Sequence, residues 1–402
     1  MSDSKSHDGS MGEKSSDIQD NVKEVGSEID LLDYHEHNAG RLVVDPEEAR
    51  IEFGEAVAKK LKLSKDGTKV LWPQPADDPL DPQNWSDFQK NLQLFIITLA
   101  AIVPDFDSGI GKCLCFDDAG RNADRLVQLG IASIFALAKQ FDTTTGVINN
   151  LTSNWSIFLL GWGGLFAVML MRRFGRLPVL FWSQLIAVSF LVGCTFAPNL
   201  KTFTAMRCLN GFFATCPQVT GLYIVTDLFP FHLQARKLNI WTMGFIISPF
   251  LSPFAFGFLV ARASWRWAYG IGSLYGACVL LLIVLFSKET MYDRKLPNPR
   301  PVPISPNPIR ARIEALTGVT GLQMAKYRSS WKEVVTGEIS ALVNLFRTLG
   351  GFAVAYFQVP WATKHGALQT FGCEAAIVAG MFVLIVPALQ VMGRVLRERY
   401  SL

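Results

Sequence analysis

The fold is decided by residues 155–194, WSIFLLGWGGLFAVMLMRRFGRLPVLFWSQLIAVSFLVGC, which form two long apolar runs joined by a short basic turn. A helix needs about 20 apolar residues to cross a hydrocarbon layer of about 30 Å, and each run has nearly that length. The turn, MRRFGRLP (171–178), carries three arginines, and short loops rich in Lys and Arg face the cytoplasm. The stretch therefore predicts two membrane-spanning helices joined on the cytoplasmic side.

The rest of the chain repeats this pattern. Of its 402 residues, 50% are hydrophobic and only 18% are charged, against about 25% in soluble domains. Basic loops alternate consistently if the N-terminus is cytoplasmic. We therefore predict an all-α integral membrane protein with about eight transmembrane helices. The predicted spans are 91–110, 154–171, 178–196, 203–229, 238–260, 269–286, 339–359 and 375–392.

Composition divides the chain into five parts. The first fifty residues are acidic with few large apolar side chains, which predicts a disordered cytoplasmic tail over residues 1–90. A six-helix bundle at 91–287 follows, and then a cytoplasmic linker at 288–337 that contains PNPRPVPISPNP. Two C-terminal helices at 338–392 and a short cytoplasmic tail at 393–402 complete the chain.

One polar stretch, CLCFDDAGRNADRLVQ, interrupts the outer loop after the first span. Its cysteines, Cys113 and Cys115, are only half of a zinc site, and no second Cys/His pair follows nearby. A local disulfide, or one to Cys373, is the other chemical reading. Removing about 112–130 restores an ordinary loop, so we interpret the stretch as an atypical insertion with no metal and no site residue.

Among the charged side chains within the predicted spans, where a charge is costly, two are candidate site residues. Arg207 sits about one turn inside the outer end of its span, and either faces a cavity or reaches the outer headgroups. Asp105 lies near the end of the first span and is embedded unless that helix ends early. SPFLSPFAFG (248–257) has prolines four residues apart, which predicts a bent, closely packed helix, either at a conformational seam or merely structural.

Other chemistry is missing from the sequence. It contains no phosphate-binding Gly-rich loop with Lys-Ser/Thr, and its five histidines are scattered. We therefore expect no ATP use, no enzyme activity, no cofactor and no nucleic-acid partner.

The chain resembles fungal transporters of the major facilitator superfamily (MFS), in the drug:proton antiporter-like group. DPLDPQNWS (78–86) is similar to the segment before their first helix, and WRWAYGIGSLYG (265–276) and KETMYDRK (288–295) are similar to the start and exit of their sixth. RRFGR (172–176) resembles their loop between helices two and three: Arg173, Gly175 and Arg176 match, but Arg172 stands at the acidic position. The helix-four pattern is matched by Arg207 and Gly211, and the helix-five motif by Pro249, Pro253 and Gly257.

The resemblance implies an MFS-like fold, of which this chain has the six-helix N-terminal half and two C-terminal helices like eleven and twelve, with helices seven to ten absent. It also implies proton-coupled efflux of small organic molecules by alternating access, at the plasma membrane. Asp105 and Arg207 are then expected to couple protons, Arg173, Gly175 and Arg176 to gate, and Gln218 and Tyr223 to line the cavity. The alternative is a truncated or mis-spliced protein that does not transport, or that regulates an intact homologue.

Overall fold

The computed structural model describes residues 45–53, 55–59, 61–109, 137–260, 264–292, 307–318, 342, 344–353, 361, 365 and 367–400. Within these ranges the regular structure is helical, apart from an isolated antiparallel bridge between Leu63 and Val70. This confirms the predicted all-α class. The predicted insertion at 112–130, with Cys113 and Cys115, lies outside the described residues, as does the proline-rich stretch at 297–306.

The helices follow one another from the N-terminal segment to the C-terminus. They are α1 (Pro46–Phe53), α2 (Glu55–Ala58), α3 (Asp87–Gly109), α4 (Thr145–Asn149), α5 (Trp155–Phe174), α6 (Arg176–Thr195), α7 (Leu200–Ala214), α8 (Cys216–Leu228), α9 (Phe231–Val260), α10 (Trp265–Phe286), α11 (Pro308–Thr317), α12 (344–353) and α13 (Ala367–Tyr400). A 3-10 turn at Pro82–Asn84 precedes α3, and a π-helical turn at Asn150–Asn154 leads into α5.

Four of the described helices are long and apolar enough to cross a membrane. They are Trp155–Phe174, Arg176–Thr195, Trp265–Phe286 and, within α13, Gly372–Met392. The first two are the hairpin of residues 155–194. In the first three helices 33–50% of the span is buried by other parts of the protein, whereas none of the span in α13 is buried. The first three therefore belong to a packed bundle, and α13 leaves its apolar surface to the bilayer.

Gly175 alone separates α5 from α6. Its backbone angles are φ 94° and ψ 169°, a combination that is essentially restricted to glycine. Because the turn is one residue long, the two helices of the hairpin are held close together at their basic end. That end is the cytoplasmic end of the bundle under the predicted orientation.

α3 is the helix around which the bundle is assembled, with α8, α9 and α10 packed against it. Ile96, Ile97, Ala100 and Ala101 are at most 2% exposed. The main-chain oxygens of α3 also accept side-chain hydrogen bonds from these three neighbours. The donor–acceptor pairs are Tyr275 to Leu99 (2.8 Å), Gln218 to Ala101 (3.3 Å), Ser248 to Ile102 (2.8 Å) and Ser252 to Phe106 (2.5 Å). These bonds fix how α3 is rotated against its neighbours.

The predicted span 203–229 is two helices rather than one. α7 ends at Ala214 and α8 begins at Cys216, with Pro217 in the first turn of α8. Proline has no N–H and its ring clashes with the carbonyl four residues earlier, so a helix is interrupted there. Asn210, in the last turns of α7, donates to Ala187 O of α6 at 3.0 Å, which ties this segment to the hairpin.

Residues 61–86 fold against the cytoplasmic end of the bundle, which corrects the disorder expected over residues 1–90. Val70 and Trp72 are 1% and 3% exposed, and Trp72 O accepts a hydrogen bond of 2.8 Å from Phe231 N at the start of α9. The Asp81 carboxylate caps the 3-10 turn by accepting from Gln83 N at 2.9 Å. The acidic composition behind the prediction belongs to the first fifty residues, whereas this segment has apolar residues of its own.

A charge pair joins this segment to the start of α3. Lys65 Nζ contacts the carboxylate of Asp87, the first residue of the helix. The hydrogen bond from Lys65 lowers the pKa of the Asp87 carboxyl, which keeps a negative charge at the helix N-terminus, where it is favourable.

Candidate functional site

A polar network lies on the face of the bundle where α3, α8 and α12 meet; Asp105, Gln218, Arg347 and Asn344 form it and are called the central network below. Gln218 Nε2 donates to Asp105 Oδ2 at 2.7 Å. Arg347 Nη2 donates to Gln218 Oε1 and to Asn344 Oδ1, each at 3.2 Å. Arg347 Nη1 lies 3.9 Å from Asp105 Oδ2. The predicted residues Asp105 and Gln218 therefore share a site, and α12 supplies its cation.

Two glycines of α5 position α12. A Cβ on Gly161 would lie 2.1 Å from Thr348 Oγ1, and one on Gly164 would lie 2.8 Å from Asn344 Nδ2. A larger residue at either position would push α12 away, so the absence of side chains permits the close approach. Phe352 completes the contact, with its ring centroid 5.2 Å from that of Phe158 in α5.

Arg207 forms a second site with the end of α3. Its side chain is 2% exposed, Nη2 donates to the main-chain oxygen of Asp107, and the guanidinium lies over the Tyr269 ring, 5.5 Å from its centroid. Arg207 is thus inside the protein and does not reach the outer headgroups. Because α3 continues to Gly109, it does not end early at Asp105.

Asp107, rather than Asp105, is the carboxylate beside Arg207. Asp107 is 0% exposed, and neither of its carboxylate oxygens has a hydrogen-bond partner. The side chain of Asp105 is 14% exposed. The two residues predicted to couple protons therefore stand in separate sites, Asp105 in the central network and Arg207 beside Asp107.

The turn at 172–176, called the gating turn below after its predicted role, is held by acidic residues from two other segments. Arg176 forms an ion pair with Asp227 of α8, and its guanidinium carbon lies 5.9 Å from the centroid of the Tyr223 ring. Glu289, after α10, accepts hydrogen bonds of 3.0 Å from the N–H groups of Arg176 and Leu177. Tyr223, predicted to line the cavity, thus contacts the gating turn. Arg173, the third residue predicted to gate, makes interactions of its own.

The helix-five motif packs against α3 through its serines. Ser248 and Ser252 are 1% and 0% exposed and donate to Ile102 O and Phe106 O. One turn earlier, a Cβ on Gly244 would lie 2.5 Å from Thr98 Cγ2. The close packing expected of this helix is present on the serine face. Pro249 is partly buried.

An apolar cavity of about 330 Å³ lies between α5, α6 and α7, apart from the central network. Its lining includes Phe166, Phe174, Trp182 and Phe212, and no residue of α3. Phe166 and Trp182 are 48% and 45% exposed, so the cavity opens on the outer surface of the bundle. A cavity with this apolar lining suits a hydrocarbon group. The central network remains the better candidate site for a polar substrate.

The described residues contain no group of three or more His, Cys, Asp or Glu side chains that could hold a metal ion. In the same part of the chain, the cysteines at 194, 208, 216, 278 and 373 are free thiols.

Comparison with known proteins now identifies the family. The family model described as Major Facilitator Superfamily matches residues 122–401. The chain belongs to the major facilitator superfamily. Its fold is accordingly that of a multi-pass, all-α membrane protein from a family of transporters rather than enzymes.

Curated MFS relatives are fungal and longer than this chain. MFS transporter fsa7 of a Fusarium species is 29% identical over 234 residues, which are 56% of this chain and 41% of that protein. The trichosetin biosynthesis cluster MFS transporter of Gibberella fujikuroi is 28% identical over 255 residues, 61% and 48% of the two chains. Efflux pump radE of Floropilus chiversii is 20% identical over 363 residues, 89% and 63%. The chain spans about half the length of the curated relatives it matches.

Three charged residues of this MFS chain were not predicted as site residues. Arg347 lies in the apolar stretch EISALVNLFRTLGGF (338–352), so the cost of an embedded charge that singled out Arg207 applied to it equally. Asp107 lies two residues after Asp105 in the same predicted span, so the cost of an embedded charge applied to it as well. Glu289 had no local signal, because its partners are main-chain N–H groups more than a hundred residues earlier.

Proposed function

We propose that this chain moves small organic molecules across the plasma membrane by alternating access, in the export direction and coupled to protons. The observation that carries the proposal is the central network: a carboxylate only 14% exposed, placed among three helices and facing a cation on a separate helix. Embedded carboxylates of this kind mark substrate and proton pathways. The names of two relatives, an efflux pump and a biosynthesis-cluster transporter, support export of a small molecule.

Asp105 is the proposed proton acceptor. Protonation would remove its charge and with it the attraction to Arg347, the charged group that faces it from α12; Gln218 faces it from α8 as a neutral donor. The contact between α3 and α12 would then be weaker in the protonated state than in the deprotonated state of the transport cycle. Arg207 of α7 donates to the main-chain oxygen of Asp107, two residues further along α3, and this hydrogen bond would keep the outer end of α3 attached to α7 throughout the cycle.

The gating turn is the proposed closure at the cytoplasmic end. The Arg176–Asp227 ion pair and the Glu289 hydrogen bonds join α6 to α8 and to the segment after α10. Opening the cavity to the cytoplasm would require these contacts to break, while the one-residue turn at Gly175 keeps α5 and α6 together.

Proteoliposomes of the whole chain, loaded with the pH indicator pyranine, test the proposal. Addition of a panel of neutral, anionic and cationic organic compounds should produce proton movement with at least one of them. The signal should disappear in Asp105→Asn and persist in Asp142→Asn, which removes an exposed carboxylate elsewhere. Absence of proton-coupled flux for every compound, with monodisperse protein, would refute transport by this chain.

A non-transporting protein is the second candidate. Two observations favour it: the span in α13 buries none of its surface, and the chain spans about half the length of its relatives. We infer that helices seven to ten of the family fold are absent, so that one wall of the cavity is incomplete. Full-length transcript sequencing decides this, because a message that encodes those helices would restore the transporter, and one that lacks them, together with absent flux, would support this candidate.

A further inference from the structure

Arg347 occupies an unusual position, because it is a cation on one helix held by acceptors on two others. Its guanidinium reaches Gln218 Oε1 at 3.2 Å and stands 3.9 Å from Asp105 Oδ2. Gln218 Nε2 donates to that same carboxylate oxygen at 2.7 Å. The three side chains thus form one hydrogen-bonded chain, in which the Gln218 amide donates to Asp105 and accepts from Arg347.

The pair between Arg347 and Asp105 is loose, whereas the helix that carries Arg347 is firmly placed. A separation of 3.9 Å is at the long end for an ion pair, and charge-assisted hydrogen bonds are about 2.7–2.9 Å long. Against this, α12 lies directly on Gly161 and Gly164 of α5. The guanidinium therefore rests near the carboxylate without the short contact that would make the pair hard to separate.

Exposure gives the pair a direction. The side chain of Arg347 is 46% exposed and that of Asp105 is 14% exposed. The guanidinium is therefore nearer the surface of the bundle than the carboxylate, so a ligand that reaches the pair from that surface meets Arg347 before Asp105.

We infer that Arg347 is a tethered competitor for Asp105, and that the ligand which displaces it is an organic cation bearing N–H donors, such as an amidinium or a primary ammonium. This rests on the proposed function only in taking Asp105 as part of the substrate site. The guanidinium shows which chemistry fits: a positive charge for the Asp105 carboxylate, and N–H donors for the oxygens of Gln218 and Asn344. A quaternary ammonium supplies the charge alone and leaves those buried or half-buried oxygens without a donor.

Equilibrium binding to the full chain in phosphatidylcholine nanodiscs tests the inference. The probes are benzamidine, a monovalent amidinium with an aromatic ring, and phenyltrimethylammonium, which has the same charge and ring but no N–H donor. Titration calorimetry without any gradient measures each dissociation constant. Wild type should bind benzamidine more tightly than phenyltrimethylammonium.

Removing the competitor should strengthen binding. Arg347→Ala and Arg347→Gln should each lower the dissociation constant of benzamidine by about tenfold or more. In the wild type only the molecules in which Arg347 has left Asp105 can bind the ligand, and this reduces the apparent affinity. Asp105→Asn should abolish this gain in affinity when it is combined with Arg347→Ala or with Arg347→Gln. Arg310→Ala, which removes an exposed positive charge on α11, is the matched control and should leave the dissociation constant unchanged.

The opposite results overturn the inference. Weaker or unchanged benzamidine binding in both Arg347 variants would make Arg347 a contact or packing residue. Each of three results would reject the site: equal affinity for the two probes, tighter benzamidine binding that persists when Asp105→Asn is added, or no benzamidine binding in any variant. Since no gradient is used, tighter binding in the Arg347 variants with no proton-coupled flux would refute the proposed function and leave this inference standing.

Discussion

Replacing Gly175 with alanine should destabilise the cytoplasmic end of the bundle through two separate effects. The backbone at φ 94° and ψ 169° is a region where a residue with a Cβ is strained by about 1–3 kcal/mol. The new Cβ would also lie 2.7 Å from Glu289 Oε2, which is too close, so the carboxylate must move. Its hydrogen bonds to Arg176 N and Leu177 N would then be lost, at a cost similar to a helix N-cap, about 0.5–2 kcal/mol.

A double-mutant cycle separates the two effects. Glu289→Ala alone should cost about 0.5–2 kcal/mol, because it removes the cap together with the local hydrogen bond of 2.9 Å that Glu289 Oε1 accepts from Met291 N. Gly175→Ala alone should cost about 1.5–5 kcal/mol, the sum of strain and cap. The double variant should cost no more than Gly175→Ala, since the cap can be lost only once, so the coupling energy should equal the cost of Glu289→Ala.

Thermal unfolding measures these differences through buried thiols. Cys194 and Cys216 are free and at most 2% exposed, so a thiol-reactive dye reports the temperature at which they become accessible. One kcal/mol corresponds to about 2–4 °C for a domain of this size. Gly270→Ala is the matched control, because a Cβ there meets no atom within 4 Å. Strictly additive single and double variants, or an unchanged Gly175→Ala, would refute the reasoning.

Three further substitutions test other parts of the structure. Arg207→Met should cost about 1.5–3 kcal/mol, because it removes the charge-assisted hydrogen bond to the main-chain oxygen of Asp107. Adding Asp107→Asn should change this loss little in the dye assay, because the acceptor belongs to the main chain; a large recovery would assign the cost to the Asp107 carboxylate instead. Ser252→Ala should cost about 0.6 kcal/mol, the average for an interhelical hydrogen bond in a membrane, and a loss above about 2 kcal/mol would indicate a larger role. Trp72→Ala should release residues 61–86 and accelerate tryptic cleavage there, whereas unchanged cleavage would contradict their packing against α9.

The hairpin at residues 155–194 could be predicted because its signals are local. Run length, apolar composition and the basic turn all lie within one short segment, and Gly175 marks the turn itself. The signal for the break between α7 and α8 was equally local, because Pro217 lies within the predicted span. It was missed because hydropathy was given more weight than the missing N–H of proline.

Partners across the bundle could not be predicted in the same way. Residues two apart on an α-helix point about 200° apart, so Asp105 and Asp107 face different neighbours, and only the rotation of α3 decides which one meets Arg207. That rotation is set by donors on α8, α9 and α10, more than a hundred residues later in the chain. The sequence shows which residues share a helix face, but it does not show which faces meet.

Because α3 accepts these hydrogen bonds through its main chain, its tolerance to amino-acid substitution differs from that of the neighbouring helices. Its acceptors at Leu99, Ala101, Ile102 and Phe106 are main-chain oxygens, which every amino acid provides, whereas the donors on the other helices are particular side chains. Evolutionary drift at these four positions of α3 is therefore limited by side-chain volume, but drift at Gln218, Ser248, Ser252 and Tyr275 is limited by chemistry. A complete mutational scan would show this as size-dependent substitution profiles at the four acceptor positions and donor-dependent profiles at the four donor positions.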